Sequence, residues 1–295
     1  MHERSQRTIS RRVEVSGIGF LTGADVNLQF HPAPPDHGIA FLRTDCLDAR
    51  PIPARVEFTV SRQRRTALST AGVAVEMVEH VMAALAGLQI DNCLVTLNAP
   101  EPPGCDGSSL TFAQALCDAG IDDQGVPRKI LRIRHPVCVR SEDRSQSIKI
   151  APVTTGSLHL LYTLDYGPES AIPRQEFELR ITPESFLREL AFARTFLLEK
   201  EAEQLRQQGY GRRTTHRDLL IFGPAGVIGN SLRTPDECAR HKMLDCLGDL
   251  ALIGCDLEGT VEAYRSGHSL NAEIVRRIQL AHGAQSHSTG ALHAA

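Results

Sequence analysis

The sequence predicts an α+β protein of two similarly built domains, and three observations carry that expectation. At 295 residues, the chain exceeds the size at which one hydrophobic core usually stops growing. A series of strand-like runs followed by helix, strand and helix occurs twice along it. Between the two series lies a polar segment, Asp122-Asp123-Gln124-Gly125-Val126-Pro127, with turn chemistry and no apolar period. The expected units are therefore 1–127 and 128–283. Residues 284–295 are expected to form a disordered tail, because the closing run HGAQSHSTGALHAA lacks periodicity.

Taken in order, RRVEVSG, DVNLQFH and IAFLRTD are short runs of period-two or continuous apolar character separated by turn residues, which predicts strands within residues 11–62. The stretch Glu76 to Leu88 sets Met77, Val81, Ala84, Leu85 and Leu88 on one helical stripe, and DNCLVTLNAP returns as a strand. Asp106-Gly107-Ser108-Ser109 then offers cap residues for a helix closed by Gly120. In the second half, strands are expected at KILRIRHPVCV, SIKIAP, LHLLYTLDY and EFELRI, and Thr182-Pro183 is a helix start with a capping hydroxyl before proline. Helices at 199–208 and 236–252, a strand at 260–264 and a helix at 269–281 complete the series.

Hydrophobic residues make up 42% and charged residues 23% of the chain, an ordinary globular balance. Trp is absent and aromatics are few, so the cores must be mainly aliphatic. A net charge of −3 gives no electrostatic reason to expect nucleic acid as a partner. The polar N-terminal run and the absence of a long apolar stretch predict no signal peptide, no transmembrane segment and a cytoplasmic location. The eight cysteines form no C-x-x-C pair and are expected to be reduced and mostly buried.

His241 and Asp245 stand four apart in a helix-like segment, so their side chains share a face and suit a metal. An isolated pair at this spacing is more often a surface hydrogen-bonded pair. Glu79-His80 is the best complement, since a carboxylate beside a ligand imidazole can take a proton from a metal-activated water. Alone, that pair equally fits two solvated helix positions. The small apolar neighbours Val81, Ala83 and Ala84 favour a closely packed helix, in which a buried Glu and His are costly without a partner. His268, at a strand-to-helix junction, is a candidate proton donor or simply a packing residue. Asp249 is a candidate to orient it or an exposed helix carboxylate.

Taken together, VEHVMAALAGLQIDN, DGSS, TPESFLREL with AFARTF, RHKMLDCLGDLALIG and SGHSLN resemble the UDP-3-O-acyl-N-acetylglucosamine deacetylases of lipid A biosynthesis, from Arg7 to about Ile278. The resemblance implies two β-α-α-β domains packed face to face around a zinc site. It also implies removal of acetate from the 2-amino group of an acylated UDP-sugar; the enzyme is expected to be a monomer. Carried over by residue, it implies His80, His241 and Asp245 as metal ligands, Glu79 as general base, Thr195 at the oxyanion, and His268 as proton donor with Asp249 behind it. Lys242 and Phe196 fall on substrate-contacting positions. The N/O ligand set also tolerates Fe2+ in place of Zn2+.

One stretch departs from the family pattern. Where members carry a glycine-containing run, this chain has Arg213-Thr214-Thr215-His216-Arg217-Asp218, which fills space and adds charge near the expected acyl passage. The departure bears on acyl-chain length, or on whether the substrate is acylated, and leaves the metal chemistry untouched. Glu199 and Glu201 are candidates for an acidic residue that normally follows the Thr-Phe block. Cys238 is read as helix packing, and only weakly as a spare ligand. Two further readings are a zinc deacetylase of another N-acetylated sugar or nucleotide sugar, and a non-catalytic nucleotide-sugar binding protein; the intact ligand positions argue against the second.

Overall fold

The computed structural model describes residues 4–154 and 156–289, with side chains described through residue 282. The first half carries a five-stranded sheet in the spatial order Val13–Ile18, Asp25–Pro32, Cys93–Leu97, Ile39–Arg43, Ile52–Pro53. Cys93–Leu97 enters it last, antiparallel to Asp25–Pro32 and parallel to Ile39–Arg43. The second half repeats this scheme with Val137–Arg140, Ser147–Ala151, Asp256–Tyr264, Leu158–Leu164 and Gln175–Arg180. There the late strand Asp256–Tyr264 is again antiparallel to one neighbour and parallel to the other. The shared topology is an alternation made physical: Val26, Leu28 and Phe30 point to the core from one sheet, Ile148 and Ile150 from the other.

Among the described residues, six α-helices accompany the sheets: α1 (Glu79–Gly87), α2 (Leu110–Ala119), α3 (Pro183–Ser185), α4 (Glu199–Gln207), α5 (Glu237–Leu250) and α6 (His268–Thr289). In each half the late strand separates two of them in sequence, α1 from α2 and α5 from α6. The β-α-α-β build is therefore one of packed layers, not of chain order. α5 and α6 lie on the second sheet, α2 touches the first, and α1 packs against both α2 and α5. Every residue of α1 except Ala86 is buried, as expected of a helix enclosed between layers. One continuous core runs from Phe30 and Phe41 through Val81 and Leu85 to Leu244 and Ile150.

Gly248 sets how closely α5 approaches α1. A Cβ built there would stand 2.2 Å from the Glu79 carbonyl oxygen and 3.1 Å from the Ala83 nitrogen, both of them backbone atoms that cannot swing aside. Gly248→Ala is expected to lower stability by about 1–3 kcal/mol, the usual cost of overpacking, as a drop in the urea midpoint; an unchanged midpoint would mean that the helices separate freely.

Several expectations need correction. The turn-rich segment 122–127 belongs to a strand, Ile121–Pro127, antiparallel to Ser5–Ile9; its polar side chains suit the outer, solvated strand of a two-stranded ribbon whose other strand is largely buried. α1 starts at Glu79 rather than Glu76, because Met77 adopts φ +56° and turns the chain out of the strand Val73–Glu76. Ser109 does not cap α2: its hydroxyl donates instead to the His80 carbonyl at 2.8 Å, while Ser108 Oγ accepts from the Leu110 amide. α6 continues to Thr289, so residues 284–289 of the expected tail are helical, and 290–295 lie outside the described residues. Two three-stranded sheets, Thr59–Val60 with Ala67–Thr70 and Val73–Glu76, and Phe196–Leu198 with Leu220–Gly223 and Gly226–Val227, have strands too short to announce themselves by alternation. Thr182 caps α3 as expected, through a reciprocal bond with Ser185, but α3 lasts one turn before a π-helical turn, Phe186–Leu190.

Candidate active site

The contact between α1 and α5 brings together residues that lie more than half the chain apart. His80 follows Glu79 in the first turn of α1, while His241 and Asp245 lie one above the other on α5. The Nε2 atoms of His80 and His241 each stand 3.4 Å from Asp245 Oδ1. One ligand atom from each of the three residues lies within 4.8 Å of the others. Their imidazoles meet edge to face, with centroids 5.0 Å apart.

Three features fit this cluster to a cation. Asp245 Oδ1 is buried and accepts no hydrogen bond, a costly condition for a carboxylate oxygen unless something positive faces it. His241 Nδ1 is 3.1 Å from the Ala193 carbonyl, which takes the ring proton there and leaves the Nε2 lone pair facing the cluster. Burial pushes the His241 pKa down to about 3, keeping the imidazole neutral as a ligand must be. Burial opposes the charged form of Asp245 too, yet the carboxyl is held well below its usual range, with the Lys242 ammonium facing it. Lys242 Nζ donates to Asp245 Oδ2 at 2.8 Å and lies 5.7 Å from the Phe196 ring centroid. Phe196 in turn stands edge to face with His241 at 6.1 Å.

Beside the cluster lies an acid–base set. Glu79 is buried, and burial raises its pKa, with His268 and His80 pulling the other way. Burial alone would lower the His268 pKa, but the carboxylate of Asp249, 2.9 Å from its Nδ1, overrides it and carries the imidazole up to about 9. His268 Nε2 is 4.0 Å from Glu79 Oε1. Asp249 is buried rather than exposed and also accepts from Asn271 Nδ2 at 2.8 Å.

Thr195, the residue before Phe196, is held by its backbone. Its amide donates to the Gly107 carbonyl at 2.7 Å, and Gly107 has φ +81° with room for no Cβ, which would fall 2.7 Å from the Asp218 carbonyl. The preceding residues are fixed by a buried ion pair in which Arg194 Nε and Nη2 donate to Glu237 at 2.7 and 3.0 Å. Since Ala193 orients His241, this pair supports the ligand set. Glu237→Ala is expected to destabilise the fold by about 3–5 kcal/mol by stranding a buried guanidinium, measured by chemical denaturation; a loss under about 1 kcal/mol would place the pair in the range of exposed bridges.

Eight of the nine expected site residues are linked by these contacts, and Thr195 adjoins them in the chain as the residue before Phe196. Glu199 and Glu201 sit at the start of α4, where Glu201 bonds the Leu198 amide and Arg64. Cys238 is fully buried and is not in the ligand cluster. A cavity of about 760 Å³, lined by residues such as Arg55, Met82 and Arg180, contains none of the nine. Two residues that sequence reasoning missed are Thr66 and Asn271. Thr66 has no motif to mark it, whereas Asn271, three residues after His268 in the SGHSLN block, had one.

The UDP-3-O-acyl N-acetylglycosamine deacetylase family model matches residues 6–279. The UDP-3-O-acyl-N-acetylglucosamine deacetylase of Myxococcus xanthus is 38% identical over 93% of this chain and 86% of its own length. Its counterpart in Solibacter usitatus is 39% identical over 93% of this chain and 91% of its own length. The Neisseria meningitidis protein of that name is 35% identical over 92% of this chain and 89% of its own.

Proposed function

The chain belongs to the UDP-3-O-acyl N-acetylglycosamine deacetylase family, and from that premise we propose that it hydrolyses the N-acetyl group of a UDP-3-O-acyl-N-acetylglucosamine in lipid A biosynthesis, with Zn2+ as its metal. The observation that carries the reading is the orphaned Asp245 Oδ1 between the Nε2 atoms of His80 and His241. Two neutral imidazoles and a carboxylate are a donor set suited to zinc and compatible with Fe2+. When bound, such an ion supplies Lewis acidity to the amide carbonyl and to water.

The protein's own groups then divide the proton work. Glu79 takes a proton from the water that attacks the amide carbon. The Thr195 hydroxyl donates to the oxygen that gains negative charge as the new C–O bond forms. His268, kept charged by Asp249, gives its proton to the nitrogen as the C–N bond breaks, releasing acetate and the free amine. Lys242 and Phe196 hold the substrate beside the ligands. The two halves, 1–127 and 128–283, act as domains that each contribute one side of the site. The enzyme works as a monomer in the cytoplasm; among the described residues no helix is long and apolar enough to cross a membrane.

A second reading, a zinc deacetylase of a different, non-acylated N-acetylated sugar or nucleotide sugar, is favoured by the 213–218 segment. Arg213 Nη1 donates to the Gly23 carbonyl and pairs with Asp25 at 2.9 Å, and Thr214 Oγ1 leans on the Phe20 carbonyl. Next to it Leu219 and Ile221 close a small apolar cluster with Ala202 and Phe20. Acetate release from paired acylated and non-acylated UDP-N-acetylglucosamine, with metal content determined on the same sample, decides between the two. Turnover of the acylated compound alone, with one zinc per chain, is the expected result. Equal turnover of both favours the second reading, and no acetate from either rejects both.

A further inference from the structure

We propose that Thr66 is a positioning residue that sets the base Glu79 and the acid His268 in register with each other, an inference that rests on the deacetylase reading above. Thr66 comes from the first half of the chain, immediately before the strand Ala67–Thr70, whereas Asp249 and His268 come from the second, and it is buried. It touches all three members of the acid–base set. Its amide donates to Glu79 Oε2 at 3.1 Å. Its hydroxyl donates to Asp249 Oδ1 at 2.5 Å and lies 3.2 Å from His268 Nδ1.

The donor and acceptor count leaves little freedom. Asp249 has its Oδ2 occupied by His268 Nδ1 and Asn271 Nδ2, so the Thr66 hydroxyl is the donor that completes the other oxygen. The amide of the same residue fixes Glu79 Oε2, which leaves Oε1 as the oxygen facing His268 Nε2. One residue thereby ties the first half's base to the second half's acid, through a backbone donor that no side-chain replacement removes and a hydroxyl that one does. Val keeps the shape and β-branching of Thr but deletes the hydroxyl and strands Asp249 Oδ1. Because Thr66 reaches the substrate only through Glu79 and His268, its hydroxyl belongs to kcat rather than to substrate binding.

In the metal-loaded enzyme, Thr66→Val is expected to lower kcat by about 10–100-fold, the scale for losing an outer partner of a functional group, with KM and bound metal unchanged. Thr66→Ser, which restores the hydroxyl, is expected to recover activity to within about threefold of the parent. In a His268→Ala background the Val substitution is expected to cost less than about twofold, because groups acting as a unit are not additive. Val and Ser equally impaired, a loss that appears in KM or metal content, or fully multiplicative losses in the double variant would each overturn the proposal. Should Val reduce folding, Thr66→Ala against Thr66→Ser carries the same contrast. A readout independent of turnover separates this from failure of the deacetylase reading: the NMR resonance of the His268 Nδ1 proton is expected to move in Thr66→Val, and an unmoved resonance rejects the contact even if the substrate assignment fails.

Discussion

Replacing Glu79 by Ala is expected to reduce kcat/KM by about 10²–10⁴-fold, the range of a removed general base, while one metal ion per chain is retained. His80→Ala is expected to lose the ion and the activity together. The contrast follows from two neighbouring residues facing different partners. His80 directs Nε2 at Asp245 Oδ1, whereas Glu79 directs its oxygens at the Thr66 amide and at His268. Neither oxygen of Glu79 is in the ligand cluster. Acetate release and metal analysis on the same preparations separate the two outcomes. If Glu79→Ala loses its metal, Glu79 is a ligand and the division of labour proposed here fails. If it keeps both metal and full activity, the base is another group.

How much of this was legible beforehand depended on the kind of signal each feature leaves. Sheet strands such as Asp25–Pro32, with a full alternation of buried and open positions, could be read directly. The identical strand order of the two sheets could not, because insertion of Cys93–Leu97 and Asp256–Tyr264 between earlier strands is a long-range event with no local mark. Segment 122–127 was misread because its Asp, Gly and Pro content outweighed its pairing, and pairing with Ser5–Ile9 is decided by a partner more than a hundred residues away. Within the site, His241 and Asp245 were visible as a helical pair. Their convergence with His80 depended on Gly248 admitting α1, a contact that spacing alone cannot predict. Motif likeness supplied what periodicity lacked for Thr195, Lys242 and Phe196. Thr66 had neither signal: its importance lies wholly in three hydrogen-bonding partners contributed by other elements.

The pH dependence of kcat/KM tests the acid half of the mechanism, and its direction follows from the charges around His268. An acid must hold its proton, so activity falls as pH rises through the pKa of about 9 to which Asp249 lifts His268 against the effect of burial. The base must be ionised, so activity also falls as pH drops through the raised pKa of Glu79; the expected profile is a bell. Asp249→Asn removes the charge that overrides burial, so the His268 pKa should fall and the alkaline limb should move to lower pH, costing most at alkaline pH and least on the acid side. His268→Ala should lower activity by about 10²–10⁴-fold and abolish that limb. Stability should follow the same sign. Because the folded pKa lies above the ordinary 6.5, this imidazole stabilises the fold fully below about 6.5 and ceases to do so as pH rises through about 9. An alkaline limb that stays in place in both Asp249→Asn and His268→Ala would assign proton donation to a different group and leave His268 a packing residue of the last helix.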